Sequence, residues 1–523
     1  MEAVSALLAL LLVALFSLLF FFSTGRNYTS PPKGDHGRRS LPPSPPGFPL
    51  LGHLPLLGSL PHRALRSLAA THGPVMLLRL GRVPTVVVSS AAAAQEAMKT
   101  RDLAFASRPR VRMAERLLYG RDMAFAPYGE HWRQARRVCV VHLLSARCIR
   151  SFRRVREQEA AALVGRVRRA AAARGGAAVN LSSLLVSHSS AVILRAAFGD
   201  MYSGYRIDGG GHLRKVFGDF QELMGSGTLG ELVPWLAWVD SLRGLHAKAA
   251  RTFEALDGLL ERVIADHRKR RREGDGGDDE GHRGFVNVLL DVNEAAEEEE
   301  KGGARFDTVA IKAIILDMFT AGSDTPATVL EWAMAELLNH PAEMRKLQEE
   351  IRAAIRSDDD HITEDHLDKL HFLKPVLKET LRLHMPAPLV PRESVEDTEL
   401  LGYRVPARTR VIVNVSAIGR DPATWERAEE FLPERFAEDA DMDQNALGQP
   451  DFTFLPFGAG RRGCPGAAFG IASVELVLAS LLCHFDWELP GGGASTVDMG
   501  EIHGLAVRLK KPLLLAVKPC SSP

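Results

Sequence analysis

The pattern of hydrophobic and polar positions changes along the chain, and its first long stretch is almost entirely apolar. Val4 to Phe22 runs for 19 residues without a charge, close to the roughly 20 that a helix needs to span a bilayer core. A cleaved signal peptide would carry a basic residue before a shorter apolar run, whereas the only charge here is Glu2. The pattern therefore predicts a single membrane helix in residues 1–23.

The next stretch is basic and then rich in proline. Residues 24–50 include Arg26, Lys33, Arg38 and Arg39, and an excess of Lys and Arg marks the side of a membrane that stays in the cytoplasm. Leu41 to Pro49 contains five prolines, which favour a stiff extended spacer. We expect residues 51–523 to form one cytosolic domain.

Within residues 51–523 the hydrophobic pattern changes from short runs to long amphipathic ones. Val75 to Leu80 and Thr85 to Ser89 have strand character, residues 130–385 have helical periodicity, and Leu513 to Val517 returns to a short apolar run. The sequence predicts a mainly α fold with a small β portion. Charged, glycine-containing segments at 269–284 and 294–303 are typical of surface loops.

Composition removes several classes of function. The formal net charge of +1 gives no long-range attraction for nucleic acid. Five cysteines make no disulfide framework, and the sequence contains no CxxC, no HExxH and no Gly-Lys dipeptide. Zinc sites and hydrolysis of nucleoside triphosphates are therefore not expected.

The segment FGAGRRGCPG, residues 457–466, carries the strongest candidate chemistry. Its glycines spell GxGxxG, but Pro456 interrupts the strand that a dinucleotide site requires. Cys464-Pro465 instead precedes a helix-patterned apolar run, with proline expected at the first helical position. A sulfur at that end of a helix is stabilised as a thiolate. A redox cysteine and a buried structural cysteine are the alternatives, and neither explains the glycines and the two arginines.

Glycines allow a large flat ligand to approach, and an arginine can bind its carboxylates, which are properties that haem would use. The segment resembles the haem loop FxxGxRxCxG of the cytochrome P450 family. The matching residues are Phe457, Gly460, Arg462, Cys464 and Gly466. The resemblance covers nearly the whole chain and is greatest to A-type plant members of the endoplasmic reticulum. It implies the P450 fold behind an N-terminal anchor.

The resemblance also implies roles for particular residues. Cys464 would ligate the iron of haem b, and Phe457, Arg462 and Gly466 would contact the cofactor. The WxxxR pattern of Trp132 and Arg136, together with Arg392, would supply donors to the haem propionates. Glu379 and Arg382 in KETLRLH, with Arg435 in FLPERF, match the family's ExxR and PERF motifs and would form a buried structural cluster.

A polar interruption in an apolar helix marks the expected oxygen site. Residues 321–326 read AGSDTP, similar to the family's AGxDT, in which the glycine leaves room above the iron. Asp324 and Thr325 would relay protons, as a hydroxyl and a carboxylate near bound dioxygen can. Pro326 replaces the usual hydroxyl residue and removes the N–H that would bond the carbonyl of Gly322. We therefore expect the helix to open there into a water-filled bulge.

The implied reaction is insertion of one atom of dioxygen into a small apolar organic substrate, with electrons from NADPH through a separate membrane-bound P450 reductase. By resemblance, residues 108–124, 218–236, 313–325, 386–391 and 500–506 would line the pocket. Their few polar candidates are Arg112, Glu115, Glu222 and His503. The turn 384–392 is one residue shorter than the usual A-type form, so the substrate does not transfer from relatives. A haem-thiolate dehydratase or isomerase and a haem-binding protein without turnover are the alternatives.

Overall fold

The structure is a computed structural model, and it describes residues 40–173, 178–199, 211–273, 283–298, 306–355, 361–437, 451–490 and 496–520. The predicted membrane helix and most of the basic linker fall outside the described residues. Two described helices, Leu181–Phe198 and Ala467–His484, are long and apolar enough to cross a membrane. Of these stretches 56% and 72%, respectively, is buried inside the protein, which is typical of core helices.

Helices dominate the described residues, as the sequence predicted. The α-helices are α1 (Pro61–His72), α2 (Ala91–Gln95), α3 (Arg112–Leu117), α4 (Glu130–Val138), α5 (Ala146–Ser151), α6 (Arg153–Ala173), α7 (Leu181–Phe198), α8 (Gly211–Gly225), α9 (Leu229–Leu232), α10 (Ala237–Leu242), α11 (Leu245–Arg272), α12 (Phe285–Glu298), α13 (Thr308–Asn339), α14 (Pro341–Ala354), α15 (Glu364–Leu367), α16 (Leu373–Leu383), α17 (Val415–Ile418) and α18 (Ala467–His484). Short π-helical turns, Glu96–Thr100 and Cys139–Leu143, extend α2 and α4.

The strands of the described residues form four small sheets. They are β1 (Val75–Leu80), β2 (Val83–Val88), β3 (Val179–Asn180), β4 (Leu389–Glu393), β5 (Thr398–Leu400), β6 (Tyr403–Val405), β7 (Arg410–Asn414), β8 (Phe485–Glu488), β9 (Glu501–Ile502), β10 (Arg508–Leu509) and β11 (Leu514–Pro519). The largest sheet has the order β1-β2-β7-β4, with β2 and β7 parallel and the other pairs antiparallel. The remaining sheets are β3-β11-β8, β5-β6 and β9-β10.

Helix α13 forms the centre of the core. Asp307 caps its first turn by accepting a hydrogen bond from the N–H of Ala310 at 2.7 Å, and side-chain caps of this kind satisfy free N–H groups. Most of the helix is apolar on every side, which is expected of a helix surrounded by others. It packs against α7, α16 and α18, so residues on α13 can reach several parts of the domain.

Two charged segments expected to be loops lie partly in helices. Helix α11 continues to Arg272, so the basic residues 269–272 form its last turn. Cations at this end are stabilised by the negative end of the helix dipole. Helix α12 extends to Glu298 and includes the start of the acidic run. Arg271 pairs with Asp291 at 2.7 Å and also with Glu294, and it joins the two helices.

The proline-rich segment is more than a spacer. The carbonyl of Pro43 accepts a hydrogen bond from the N–H of Leu77 in β1 at 2.8 Å. The ring of His53 bonds the carbonyl of Pro45 at 2.8 Å and accepts from the N–H of Arg79 at 2.7 Å. The segment is therefore attached to the β1 edge of the largest sheet.

Candidate functional site

The loop that carries Cys464 is closed by its own backbone. The N–H of Cys464 donates to the carbonyl of Phe457 at 2.9 Å, and the N–H of Gly463 donates to Gly460 at 2.9 Å. Gly458 and Gly460 both have φ of 66°, in the left-handed region that favours glycine. The loop therefore holds the cysteine in a fixed position.

Cys464 is an exposed residue whose thiol is still partly desolvated by the surrounding protein, and helix α18 follows it. The helix begins at Ala467 with Gly466 as its N-cap, so Pro465 precedes the cap and does not occupy the expected first helical position. Burial is the largest influence on the pKa of the Cys464 thiol and raises it, while the N–H of Gly466 and the charge of Arg136 lower it. These two groups favour the thiolate, the form that binds a metal.

The surroundings of Gly460 and Gly466 in this loop differ in whether they leave room for a side chain. A Cβ on Gly460 would lie 2.1 Å from the carbonyl oxygen of Met98, so the absence of a side chain is required by packing within the protein. A Cβ on Gly466 would meet nothing within 4 Å. Gly460 therefore does not serve ligand approach, whereas the space beside Gly466 is compatible with it.

Arg392 is the most unusual cation near this loop. Its side chain is fully buried, and one terminal nitrogen donates to the carbonyl of Ala459 at 2.8 Å. Its Nε and Nη1 are buried without any hydrogen-bond partner. Leaving two charged donors unpaired is costly, so the position fits an anionic ligand.

Arg462 is held among backbone carbonyls. It donates to Ala106 at 2.7 Å and to Ala126 at 2.8 Å, and its guanidinium lies 4.0 Å from the ring centre of Trp132. The indole N–H of Trp132 donates to the carbonyl of Met123 at 3.0 Å. In this structure the indole N–H of Trp132 and three of the five N–H donors of Arg462 already bond backbone carbonyls. The contacts of both residues with the cofactor stay predictions.

Several arginines depress one another's pKa in this region. Burial, followed by repulsion from Arg108, lowers the pKa of Arg392 well below its usual range and that of Arg462 to about 9. Arg136 contributes to both shifts. Asp102 and Asp122 supply only part of the opposing charge. A ligand with two carboxylates would balance the excess of positive charge.

The opposite wall is expected to be helix α13, which has one accessible position in its buried middle. Ala321 is exposed, and Thr325 on the next turn is half-buried and donates its hydroxyl to the Ala321 carbonyl at 2.5 Å. Asp324 is buried, and burial raises the pKa of its carboxyl. A raised pKa lets a carboxyl hold a proton at a higher pH than an exposed carboxyl does.

The structure gives Gly322 a packing role that the sequence did not predict. A Cβ at this position would lie 2.3 Å from Cδ1 and 2.5 Å from Cγ1 of Ile193 on helix α7. The glycine therefore permits the close packing of α13 on α7.

The prediction of a bulge at Pro326 is wrong, because α13 is one continuous helix from Thr308 to Asn339. Packing against neighbouring helices holds the turn even though proline removes one hydrogen bond. Hydroxyl groups of Thr320 and Ser323 bond carbonyls one turn back, at 2.6 and 2.7 Å. A small cavity does lie beside Pro326, lined mainly by apolar atoms.

The contact at Gly322 gives a testable prediction. Gly322→Ala should destabilise the chain by about 1–3 kcal/mol, because the overpacking cost exceeds the gain in helix propensity. Ile193→Ala removes the side chain that the new Cβ would meet, so Gly322→Ala should cost much less in the Ile193→Ala background than in the wild-type chain. Gly258→Ala is the matched control, because its Cβ would meet only an arginine nitrogen at 3.6 Å, and it should stabilise the chain. Urea unfolding measures all four, and additive single effects would contradict the contact.

The predicted Glu379–Arg382–Arg435 cluster is confirmed. Arg382 binds both carboxylate oxygens of Glu379, at 2.7 and 2.8 Å, and both side chains are fully buried. Arg435 donates to Glu379 at 3.0 Å. The cluster joins helix α16 to the segment 428–436, since Arg382 also donates to the carbonyls of Ala428 and Glu430.

Comparison with known proteins agrees with this geometry. The family model described as Cytochrome P450 matches residues 42–516. The chain belongs to the cytochrome P450 family. Among its relatives is Cytochrome P450 71A1 of Persea americana, 47% identical over 89% of this chain and 91% of that protein. The phenylacetaldehyde oxime monooxygenase CYP71AN24 of Prunus mume is 41% identical over 98% and 95%.

Solved structures give the same result. A zebra fish cytochrome P450 solved with progesterone superposes with a TM-score of 0.73 at 26% identity, covering 88% of this chain and 99% of that chain. The protein is thus an oxidoreductase, a haem-thiolate P450 monooxygenase of the plant A-type, and cytochromes P450 take electrons from a reductase partner. When bound, haem supplies the activation of dioxygen. The unpaired donors of Arg392 and the accessible thiol of Cys464 fit this cofactor.

This P450 should respond to Arg392→Met in two opposite ways. Removing a buried unpaired cation should stabilise the haem-free chain by about 1–3 kcal/mol. The same change should lower haem retention about tenfold, because one charge-assisted contact to the cofactor is lost. Haem content per chain and urea unfolding of the haem-free protein measure the two effects. Arg404→Met, at an exposed position, should change neither, and unchanged haem content in Arg392→Met would contradict the assignment.

Nothing in the sequence indicated that Arg108 is a partly buried cation near the cysteine loop, and three of the polar residues expected in the pocket lie at exposed positions. Burial lowers the pKa of Arg108 to about 10, and no local pattern distinguishes it from the other arginines of SRPRVR. Glu222 instead pairs with Lys248 at 2.7 Å, and Glu115 lies 3.6 Å from Arg110. Both acids, like Arg112, face solvent. Burial, followed by the nearby charge of His62, lowers the pKa of the fourth polar candidate, His503.

Proposed function

We propose that this P450 hydroxylates, or otherwise oxidises with dioxygen, a small apolar organic metabolite of a plant. The observation that supports this most is the pairing of an accessible Cys464 thiol with a group of arginines that lacks sufficient counter-charge. Cys464 would hold the iron, and Arg392, Arg136, Arg462 and Trp132 would surround the propionates. Phe457 and Gly466 would border the cofactor in the cysteine loop.

Asp324 and Thr325 would deliver the two protons that are consumed when one oxygen atom of dioxygen leaves as water. The raised pKa of the Asp324 carboxyl supports a role in carrying a proton. The Thr325 hydroxyl, which donates to Ala321, needs only to rotate about its Cα–Cβ bond to donate elsewhere. The two adjacent residues thus combine a proton source with a mobile donor.

The environment of the domain is part of the proposal. Residues 1–23 would anchor the chain in the endoplasmic reticulum membrane, residues 24–50 would form a basic linker and hinge, and residues 51–523 would form the cytosolic catalytic domain. NADPH–cytochrome P450 reductase in the same membrane would supply electrons. The apolar run, the basic residues that follow it and the attachment of the proline segment to β1 support this arrangement.

A dehydratase or isomerase that does not insert oxygen is the second candidate, because Pro326 stands where a hydroxyl residue is usual. The Prunus mume relative is named as a monooxygenase of an oxime, which keeps oximes among the possible substrates and favours oxygen insertion. Terpenoids, aromatic amines and phenylpropanoids are equally compatible with a mostly apolar pocket.

Untargeted product analysis tests whether the protein turns over a substrate. Membranes that contain the full chain and a plant reductase would be given NADPH and a plant metabolite extract, and the products compared by mass spectrometry. We expect a product that requires both NADPH and the reductase. Membranes with Cys464→Ser serve as the control. No difference between the two membranes across extracts would favour haem binding without turnover.

A further inference from the structure

A stacked pair of rings joins two helices near the expected substrate pocket. The ring of His384, directly after α16, lies parallel to that of Trp332 on α13, with 4.0 Å between centres and 7° between planes. Both residues are buried. The Nε2 of His384 also bonds the carboxylate of Glu336, one turn further along α13, at 2.6 Å. The imidazole is thus fixed by its face and by its edge.

Burial and hydrogen bonding determine the protonation states of His384 and Glu336. Burial lowers the pKa of His384, so the ring is neutral and donates from Nε2. Burial raises the pKa of Glu336, but bonds from His340 and His384 outweigh it and bring the value to about 2. Glu336 therefore remains a carboxylate, and the contact persists through the neutral pH range.

A second set of bonds connects this stack to the C-terminal segment. The indole N–H of Trp332 donates to the carbonyl of Val507 at 3.0 Å, and the N–H of Val507 donates to the carbonyl of Pro386 at 2.9 Å. Pro386 lies two residues after His384, so the contacts form a closed ring. The ring ties α13, the turn 384–388 and the segment 500–509 to one another.

The segment 500–509 is held from another side as well. The N–H of Leu509 donates to the Glu331 carboxylate at 3.4 Å. A Cβ on Gly225, at the end of α8, would lie only 2.7 Å from the nitrogen of Leu505. These contacts restrain the segment at Leu505 and Leu509, and the bond from Trp332 restrains Val507 between them.

We propose that Trp332 and His384 are positioning residues that fix the turn 386–391 and the segment 500–506 relative to each other and so set the shape of the substrate pocket. This rests on the proposed function and on the family resemblance, which implies that both segments line the pocket. Neither side chain needs to contact the substrate, because each acts through the backbone of Pro386 and Val507. Substrate selection would thus depend on a buried contact outside the pocket.

The closed ring of contacts through Trp332, His384, Pro386 and Val507 is called the clamp below. Hydrogen exchange tests it without any ligand. Trp332→Phe keeps an aromatic ring against His384 but removes the N–H, so the amide of Val507 should exchange about tenfold faster. Trp487→Phe is a matched control, because that indole is also buried and donates to a backbone carbonyl, Leu481, at 3.1 Å. It should leave Val507 unchanged. His384→Phe, which keeps the stack and loses the Glu336 bond, is a second variant should the first fail to fold.

Azole binding tests the effect on the pocket. Imidazole and 4-phenylimidazole both bind ferric haem iron and shift its absorption, but only the second extends to the pocket wall. In Trp332→Phe and His384→Phe the ratio of the two Kd values should change about three- to tenfold, and in Trp487→Phe it should not. The same ratio and the same Val507 exchange in all variants would overturn the clamp. A wild-type protein without any azole shift would instead overturn the haem assignment, and the exchange measurement would still decide the clamp.

Discussion

Cys464→Ser should abolish turnover, with a loss of at least about 1,000-fold, or about 4 kcal/mol of transition-state free energy. A serine hydroxyl is a far weaker donor than the thiolate, whose electron density favours cleavage of the O–O bond. The red-shifted Soret band of the ferrous carbonyl complex should disappear as well. The loop itself should persist, because its bonds to Phe457 and Gly460 are made by the backbone.

Cys483→Ser is the control for this change. Cys483 is a half-buried cysteine in α18, the helix that follows the loop, so the variant removes a thiol from the same part of the domain. It should keep both the absorption band and turnover. If Cys464→Ser retained the red-shifted band, another group would hold the iron and the assignment of Cys464 would be wrong.

Arg382→Ala should prevent stable folding. Among the described residues it would leave the fully buried Glu379 carboxylate with Arg435 as its one cationic partner, and it would remove the donor to the carbonyls of Gly419 and Ala428. Removing one partner of a buried ion pair costs about 3–5 kcal/mol, a large part of the 5–15 kcal/mol that typically stabilises a domain. We expect loss of soluble protein on expression, or a sharply lower urea midpoint.

Arg427→Ala provides the comparison for that result. Arg427 forms an ion pair with Glu430 three residues later, and both side chains are more than half exposed, so solvent screens the pair and its removal should change the urea midpoint little. Equal urea midpoints for the two variants would show that the buried cluster contributes no more than a surface pair.

Local patterns in the sequence were sufficient for the parts of the site that depend on short spacings. Glu379 and Arg382 lie on one face of α16 because they are three residues apart, and the cysteine loop closes within eight residues. Strand positions were close too, since Val75–Leu80 matches β1 and Leu513–Val517 overlaps β11. These features are set by neighbours in the chain.

Features set by distant residues were not predictable. Gly322 is explained by Ile193 on another helix, and Gly460 by the carbonyl of Met98. The continuity of α13 at Pro326 depends on the packing of surrounding helices, which outweighs the local cost of proline. The orphaned donors of Arg392 and the stacking of His384 on Trp332 are likewise long-range results of the fold.

Isotope labelling of the product tests the central claim most directly. Once the metabolite extract has yielded an NADPH-dependent product, the reaction would be repeated under isotopically heavy dioxygen in ordinary water, and in the converse arrangement with heavy water. A monooxygenase predicts one heavy oxygen atom in the product from dioxygen and none from water. A product that forms without oxygen from dioxygen would contradict oxygen insertion and identify a dehydratase or isomerase on the P450 scaffold.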